Sequence, residues 1–183
     1  MPALRQAIAD DIAVIEPLDG REQHDIDDIL SWIASGAKIF RHQKPAIPPK
    51  HLVSYFVVVD GEYILLVDHK DAGLWLPTGG HVDPGEHPSA TVTREAKEEL
   101  GIDAVLRMAR PMMATRVNTI GISAGHMDVC LWYVVDGDRQ APMTFSDEEF
   151  NTVRWFQYSE LPQENIEPDM QRFVQKFYGA SGA

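Results

Sequence analysis

The run HLVSYFVVVDGEYILLVDHK, residues 51–70, limits the fold more than any other stretch. Two segments rich in branched and aromatic residues flank Asp60-Gly61. Such residues favour extended backbone, and Asp-Gly is a strong hairpin signal. An antiparallel pair has to form here, and the rest of the chain must pack on it. Upstream the periodicity is different. HDIDDILSWIASG sets Ile26, Ile29, Leu30 and Ile33 at helical spacing, with Trp32 alongside and Gly36 as a stop. Between the two lies HQKPAIPPKH, whose prolines exclude a helix. Three segments follow: a helical N-terminal extension at 1–43, a proline-rich linker at 44–50, and a domain of mixed sheet and helices at 51–179. In that domain HMDVCLWYVVDGD and TVRWFQY read as strands, and a further strand is expected between Ile102 and Thr115. PDMQRFVQKFYG reads as a closing helix, with Pro168 in its first turn and Phe173, Val174 and Phe177 as its apolar stripe.

Composition narrows the class. The chain has 183 residues, 44% of them hydrophobic, enough for a core of its own. No apolar run approaches the roughly 20 residues that span a bilayer. The first twenty residues are interrupted by acids and lack the basic-then-apolar pattern of a signal sequence, so a cytoplasmic location is expected. The single cysteine, Cys130, cannot staple the fold and sits in the apolar run VCLWYVV, where a small buried residue is expected. A net charge of −12 argues against a nucleic-acid binder or an anionic-membrane binder, since both need clustered Lys and Arg. It leaves room for a small phosphorylated substrate, because a metal ion can stand between carboxylates and phosphates.

The stretch REAKEELG, Arg94 to Gly101, is awkward for an ordinary surface helix. Glu95, Glu98 and Glu99 fall in one narrow sector at about 100° per residue. Val92, Ala96 and Leu100 form a buried stripe roughly a quarter-turn away, so the acids stand at the rim of the packed face. Glu95 and Glu99 repel at i,i+4, and acids in a last turn oppose the helix dipole by roughly 0.3–1 kcal/mol each. Arg94 offsets only Glu98 by helical spacing. A solvated charged face and a cation site are both open on the helix alone; a divalent ion would reverse these penalties. The loop before it bears on the choice. Gly79-Gly80 follows a strand end at Trp75-Leu76 and lets backbone approach a ligand closely. Asp83-Pro84-Gly85 fits a type II turn feeding a helix that begins near Pro88. Glu86 stands before that helix, within reach of Arg94, and Gly101 fits the left-handed stop.

Gly80, Glu86, Arg94, Glu95, Ala96, Glu98, Glu99, Gly101 and Ile102 together resemble the signature of the Nudix (MutT-like) hydrolase family, with every fixed position matched. The resemblance implies an α/β fold: an α/β/α sandwich with a mixed sheet, here preceded by the helical extension. It implies hydrolysis of the diphosphate linkage of a nucleoside diphosphate joined to another moiety, a nucleoside triphosphate or a nucleotide sugar, with metal-activated water as the nucleophile. Mg2+ or Mn2+, one to three ions, is the implied cofactor. Glu98 and Glu99 are then core metal ligands, Glu95 a ligand or the base, and the carbonyl of Gly79 or Gly80 completes the shell. Gly80, Glu86, Arg94 and Gly101 are the structural members of the box. Family members add an acid from a loop before the last strand; in FSDEEFNTVRWF that is Glu149, with Glu148 second. The partner implied is a small nucleotide, and the extension could pack on the sheet, cap the cleft or make a homodimer.

Substrate residues are weakly marked. Trp75, Arg116, His126 and Asp169 are the candidates, with His69 and Lys70 beside them; each has a plain structural reading as well. The stretch WFQYSELPQENIEPDM resembles the part of oxidised-purine nucleoside triphosphatases where a Trp-Pro-Asp-Asp run reads the base. Here Glu167-Pro168-Asp169-Met170 keeps only one Asp and lacks the aromatic platform, which favours a structural role in opening the last helix. A catalytically silent nucleotide-sensing module is the competing function, and it would be expected to lose box acids. An isoprenoid diphosphate isomerase would need an active-site cysteine, and Cys130 stands in the wrong context.

Overall fold

A computed structural model describes residues 2–42, 47–119 and 125–179. Two helices come first, α1 (Pro2–Ala13) and α2 (Gly20–Ala34). Asp19 caps α2 by accepting from the N–H groups of Arg21 and Glu22, and the chain leaves through Gly36 at φ 79°. The expected linker at 44–50 lies partly outside the described residues; from Lys50 onward the chain is already strand. Eight strands form one mixed sheet: β1 (Lys50–Asp60), β2 (Tyr63–His69), β3 (Leu74–Leu76), β4 (Thr78–His81), β5 (Val105–Leu106), β6 (Met113–Asn118), β7 (Met127–Asp136) and β8 (Phe150–Gln157). Helix α3 (Pro88–Leu100) separates β4 from β5, and α4 (Met170–Gly179) closes the described chain.

The hairpin forms where the sequence places it. Asp60 pairs with Tyr63, and the loop is Gly61-Glu62, with Gly61 at φ 58°. A positive φ at the first central position suits the right-handed strand twist. The strands then part. Past its first residues β2 pairs with β3, while the first half of β1 pairs with β4. The segment 74–81 thus fills a wedge between two diverging strands, and Pro77, which has no N–H to offer, sits where it changes partner. This wedge brings Gly79 and Gly80 opposite Tyr55 and Ser54 in the middle of the sheet. On its other side β1 runs parallel to β7 along its whole length, the long crossover between them containing α3.

The sheet divides two apolar layers. Leu52, Phe56 and Val58 of β1 face Val92, Ala96 and Leu100 of α3, and the same cluster takes in Ile8, Ile12, Ile26, Ile29 and Ile33 of the extension. Val53, Val57, Cys130 and Trp132 face the other way, onto Met170 and Phe173 of α4. The N-terminal helices are therefore part of the main core. Arg5 caps the end of α2 through the carbonyls of Ile33 and Ala37, at 2.8 and 2.6 Å. The last helix starts at Met170, two residues beyond the expected Pro168. Among the described residues no helix is long and apolar enough to cross a membrane.

Candidate active site

Local sequence explains why a helix starts and stops here. The Glu86 N–H donates to the Asp83 carbonyl at 3.0 Å, closing the turn whose third residue, Gly85, has φ 91°. His87 caps the new helix, Pro88 occupies its first turn, and Gly101 at φ 67° ends it. Val92, Ala96 and Leu100 are fully buried against the sheet. That packing fixes the rotation of α3 and aims its acids at the β4 backbone. Glu99 is only 4% exposed, and the Gly79 N–H donates to its carboxylate at 3.2 Å. Glu95 lies directly over Gly80: a Cβ at Gly80 would stand 1.9 Å from the Glu95 Oε1. Glu98 is exposed at the rim.

Arg94 does more than its spacing indicates. Helical geometry assigns it to Glu98 alone, yet its guanidinium hydrogen-bonds to three carboxylates and stands 3.9 Å from a fourth, that of Asp83. It forks onto Glu86 with two bonds of 3.1 Å, donates to Glu95 at 2.7 Å and reaches Glu98 at 3.2 Å. It also donates to the His81 carbonyl at 3.3 Å, so loop, helix and β4 are joined through one side chain. The turn at 83–85 folds Glu86 back over the helix, and the reach from Glu86 to Arg94 expected from sequence is made.

The electrostatics sort these acids. Partial burial works against the Glu86 charge, but the Arg94 fork, the Thr91 hydroxyl and the Asp83 N–H together hold its pKa below the ordinary value. Burial pushes Glu95 up, more than Arg94 pulls it down, and the charges of Glu98 and Glu149 add to the rise. Glu99 is pushed up to about 9, first by burial, then by Glu95 and Glu149, against a single backbone N–H. The charge of Glu149 thus reaches both Glu95 and Glu99. Its loop is tied down by the Ser146 N–H on the Glu99 carbonyl at 2.9 Å and the Lys70 N–H on the Glu149 carbonyl at 2.9 Å. Lys70 also donates its ammonium to the Asp147 carbonyl. Glu148 and Glu149 are both exposed.

The remaining candidates sit elsewhere. Arg116 is held by Asp25 and Asp28 of α2 at 2.7 and 2.9 Å. Asp169 is buried and paired with Arg21 at 2.8 Å and Arg172 at 3.4 Å. Trp75 is half-buried in β3, its ring edge-on to Phe156 at 4.9 Å. The His69 ring packs on Phe150. His126 belongs to a group with His51, His81 and Asp128, of which the sequence reading noticed only His126. The i,i+2 spacing of His126 and Asp128 at the start of a strand, which puts both on one face, was the signal available. Cys130 is fully buried and burial pushes its thiol well up, so it has no nucleophilic character.

A NUDIX domain model matches residues 49–177, well over half of the chain. The chain belongs to the NUDIX family. A Bacillus subtilis (strain 168) protein provisionally named 8-oxo-dGTP diphosphatase is 47% identical over 53 residues, covering 28% of this chain and 36% of its own length. A bis(5'-nucleosyl)-tetraphosphatase (asymmetrical) from Mus musculus is 38% identical over 71 residues, covering 39% of this chain and 43% of its own. The chain therefore matches less than half the length of these curated relatives. A NUDIX-family hydrolase from Clostridium perfringens superposes with a TM-score of 0.58 at 20% identity, covering 72% of this chain and 97% of that one. A UDP-X diphosphatase superposes with a TM-score of 0.55 at 16% identity, covering 98% of this chain and 94% of that one. At such identities the likeness shows the fold, and in the second case it extends over the N-terminal helices.

Proposed function

We propose that this chain is a divalent-metal-dependent hydrolase of the diphosphate linkage in a nucleoside diphosphate joined to another moiety. One observation carries the reading. Glu95 lies over Gly80, Glu99 accepts from the Gly79 N–H, Glu98 stands exposed on the same helix, the charge of Glu149 reaches Glu95 and Glu99, and Arg94 forks onto Glu86 and turns its remaining donors to Glu95 and Glu98. Among the described residues, Glu99 is left buried with one N–H and no positive partner. Buried carboxylates in that state are destabilising unless a cation joins them. The donor set is hard oxygen, which fits Mg2+ or Mn2+. Glu98 and Glu99 would hold the ion, with Glu95 and the Gly79 or Gly80 carbonyl completing the set. When bound, such an ion neutralises the diphosphate charge and acidifies water.

The chain's own groups do the rest. Arg94 fixes Glu95 over Gly80, and the Gly79 N–H orients Glu99. Glu149, on its tethered loop, is the acid to accept a proton from the attacking water, since its charge reaches both Glu95 and Glu99. Relatives named for nucleotide hydrolysis support a nucleoside polyphosphate as substrate. Asp169 already serves two arginines, so it does not support base reading of the oxidised-purine kind.

A panel of nucleoside triphosphates, dinucleoside polyphosphates and nucleotide sugars, assayed with Mg2+ and Mn2+ for released phosphate and nucleoside monophosphate, tests the proposal. Turnover of at least one class is expected. Tight binding by calorimetry with no turnover of any would replace it with a sensing module.

A further inference from the structure

A second group of ligand-type side chains lies on the opposite face of the sheet from α3. His51 pairs in register with Asp128, and Val53 with His81, so these side chains share the face that α4 covers. His126 joins them from just before β7. One ligating atom from each of His51, His81, His126 and Asp128 lies within 4.8 Å of all the others. Ligands on a tetrahedral ion at bond lengths of about 2.1 Å stand about 3.4 Å apart, so small side-chain rotations close the set.

The hydrogen bonds around the group fix which nitrogens face inward. The Nδ1 of His51 lies 2.8 Å from the Pro48 carbonyl, which can only accept, so Nδ1 carries the proton and Nε2 presents a lone pair. The Nδ1 of His126 lies 3.1 Å from the Thr119 hydroxyl, which itself donates to the His126 carbonyl at 3.0 Å. That leaves the hydroxyl oxygen to accept from Nδ1–H and turns Nε2 inward. Both Nε2 atoms then face the same Asp128 oxygen, at 3.1 and 3.2 Å. The Nε2 atoms of His51 and His81 and the Oδ1 of Asp128 are buried and make no hydrogen bond among the described residues. His51 is wholly buried, and its ring stacks on His126 with centroids 5.0 Å apart.

Arg41 stands close enough to feel the Asp128 charge but makes no hydrogen bond or ion pair with it among the described residues. A single divalent cation takes all four lone pairs. We infer that His51, His81, His126 and Asp128 form a second metal site, for a transition ion of the Zn2+ type, separate from the glutamate cluster. Three imidazoles with one carboxylate select Zn2+, Co2+ or Ni2+, whereas the glutamate set selects Mg2+ or Mn2+. The Pro48 carbonyl and the Thr119 hydroxyl are the outer partners that orient imidazole ligands in such sites. Four protein ligands close a tetrahedral ion, so its role is structural. It ties β1, β4 and β7 together beside Gly80, in the strand that floors the glutamate cluster.

The test uses untagged, metal-stripped protein reloaded with Co2+ and followed by visible absorption, with bound metal measured by mass spectrometry. The intense absorption of tetrahedral Co2+ is expected at about one equivalent, displaced by Zn2+ and not by Mg2+. The wild-type spectrum decides by itself: an octahedral spectrum, or none, overturns the site. His51 is too buried to change safely, so His126→Gln and Asp128→Asn are the variants, each expected to weaken Co2+ by at least about 100-fold. Undiminished binding in both would also overturn it. Glu98→Gln is expected to keep the spectrum, so loss of Mg2+-dependent hydrolysis and loss of this site read out separately.

Discussion

Gly79 and Gly80 are neighbours, yet a methyl group on each would meet different matter. At Gly79, φ is 154° and a Cβ would stand 2.2 Å from the Ser54 carbonyl oxygen, which is sheet backbone and cannot yield. At Gly80 the obstacle is the carboxylate end of Glu95, which can swing aside. Gly79→Ala should therefore lower stability by about 1–3 kcal/mol, seen as a lower urea midpoint. Gly80→Ala should leave the midpoint nearly unchanged and cut turnover at least tenfold, because Glu95 leaves its place. The reverse pattern would mean that Gly80 is structural and Glu95 idle. Arg94 offers a second contrast at this scale. Its two bonds to Glu86 need a planar fork, so Arg94→Lys should behave nearly as badly as Arg94→Ala in both stability and rate. Full rescue by lysine would show that only the charge matters.

At the scale of elements, α3 and its loop were legible because every cue is local. The turn residues, the Pro88 start, the Gly101 stop and the apolar stripe all lie within a few residues of what they control. The same holds for the hairpin at Gly61 and for α2. The wedge of β3 and β4 was not legible, because it depends on β1 and β2 diverging, which no spacing within either strand records. Nor was the histidine group, assembled by register from β1, β4 and β7. The late start of α4 has a similar cause. Glu167, buried just ahead of it, accepts from the Asp169 N–H at 2.6 Å and holds the chain in a turn through Pro168. Burial, then the Asp169 charge, pushes Glu167 up to about 8. An acid raised in the folded state keeps a proton that the unfolded chain gives up. Its stabilising contribution is full below the unfolded value of 4.5 and is lost as pH rises towards 8. Glu167→Gln should thus match the parent in thermal melts near pH 4.5 and exceed it above pH 8. Equal pH slopes for the two proteins would show that Glu167 is ionised throughout.

Over the whole molecule, the decisive fact is that the N-terminal helices have no core of their own. Ile8, Ile12, Ile26, Ile29 and Ile33 bury themselves in the cluster that holds Leu52, Val129 and the α3 stripe. Ion pairs then bind α2 to both sheet and last helix: Asp25 to Arg116, Asp19 to Arg172, Glu22 to Lys176. Several of these are partly buried, so removing one partner would strand a desolvated charge at greater cost than at the surface. Two independent units would melt in two steps. One shared core predicts a single transition, and a defect in α2 should be felt in the sheet. Ile29→Ala, at a fully buried position, should cost about 2–5 kcal/mol and shift the whole curve. Hydrogen exchange checks this directly. In the variant, amides of α2 and of the central strand β7 should lose protection by the same factor, since both open only with the global unfolding. If α2 alone loses protection while β7 keeps it, the extension unfolds by itself and the shared core is not cooperative.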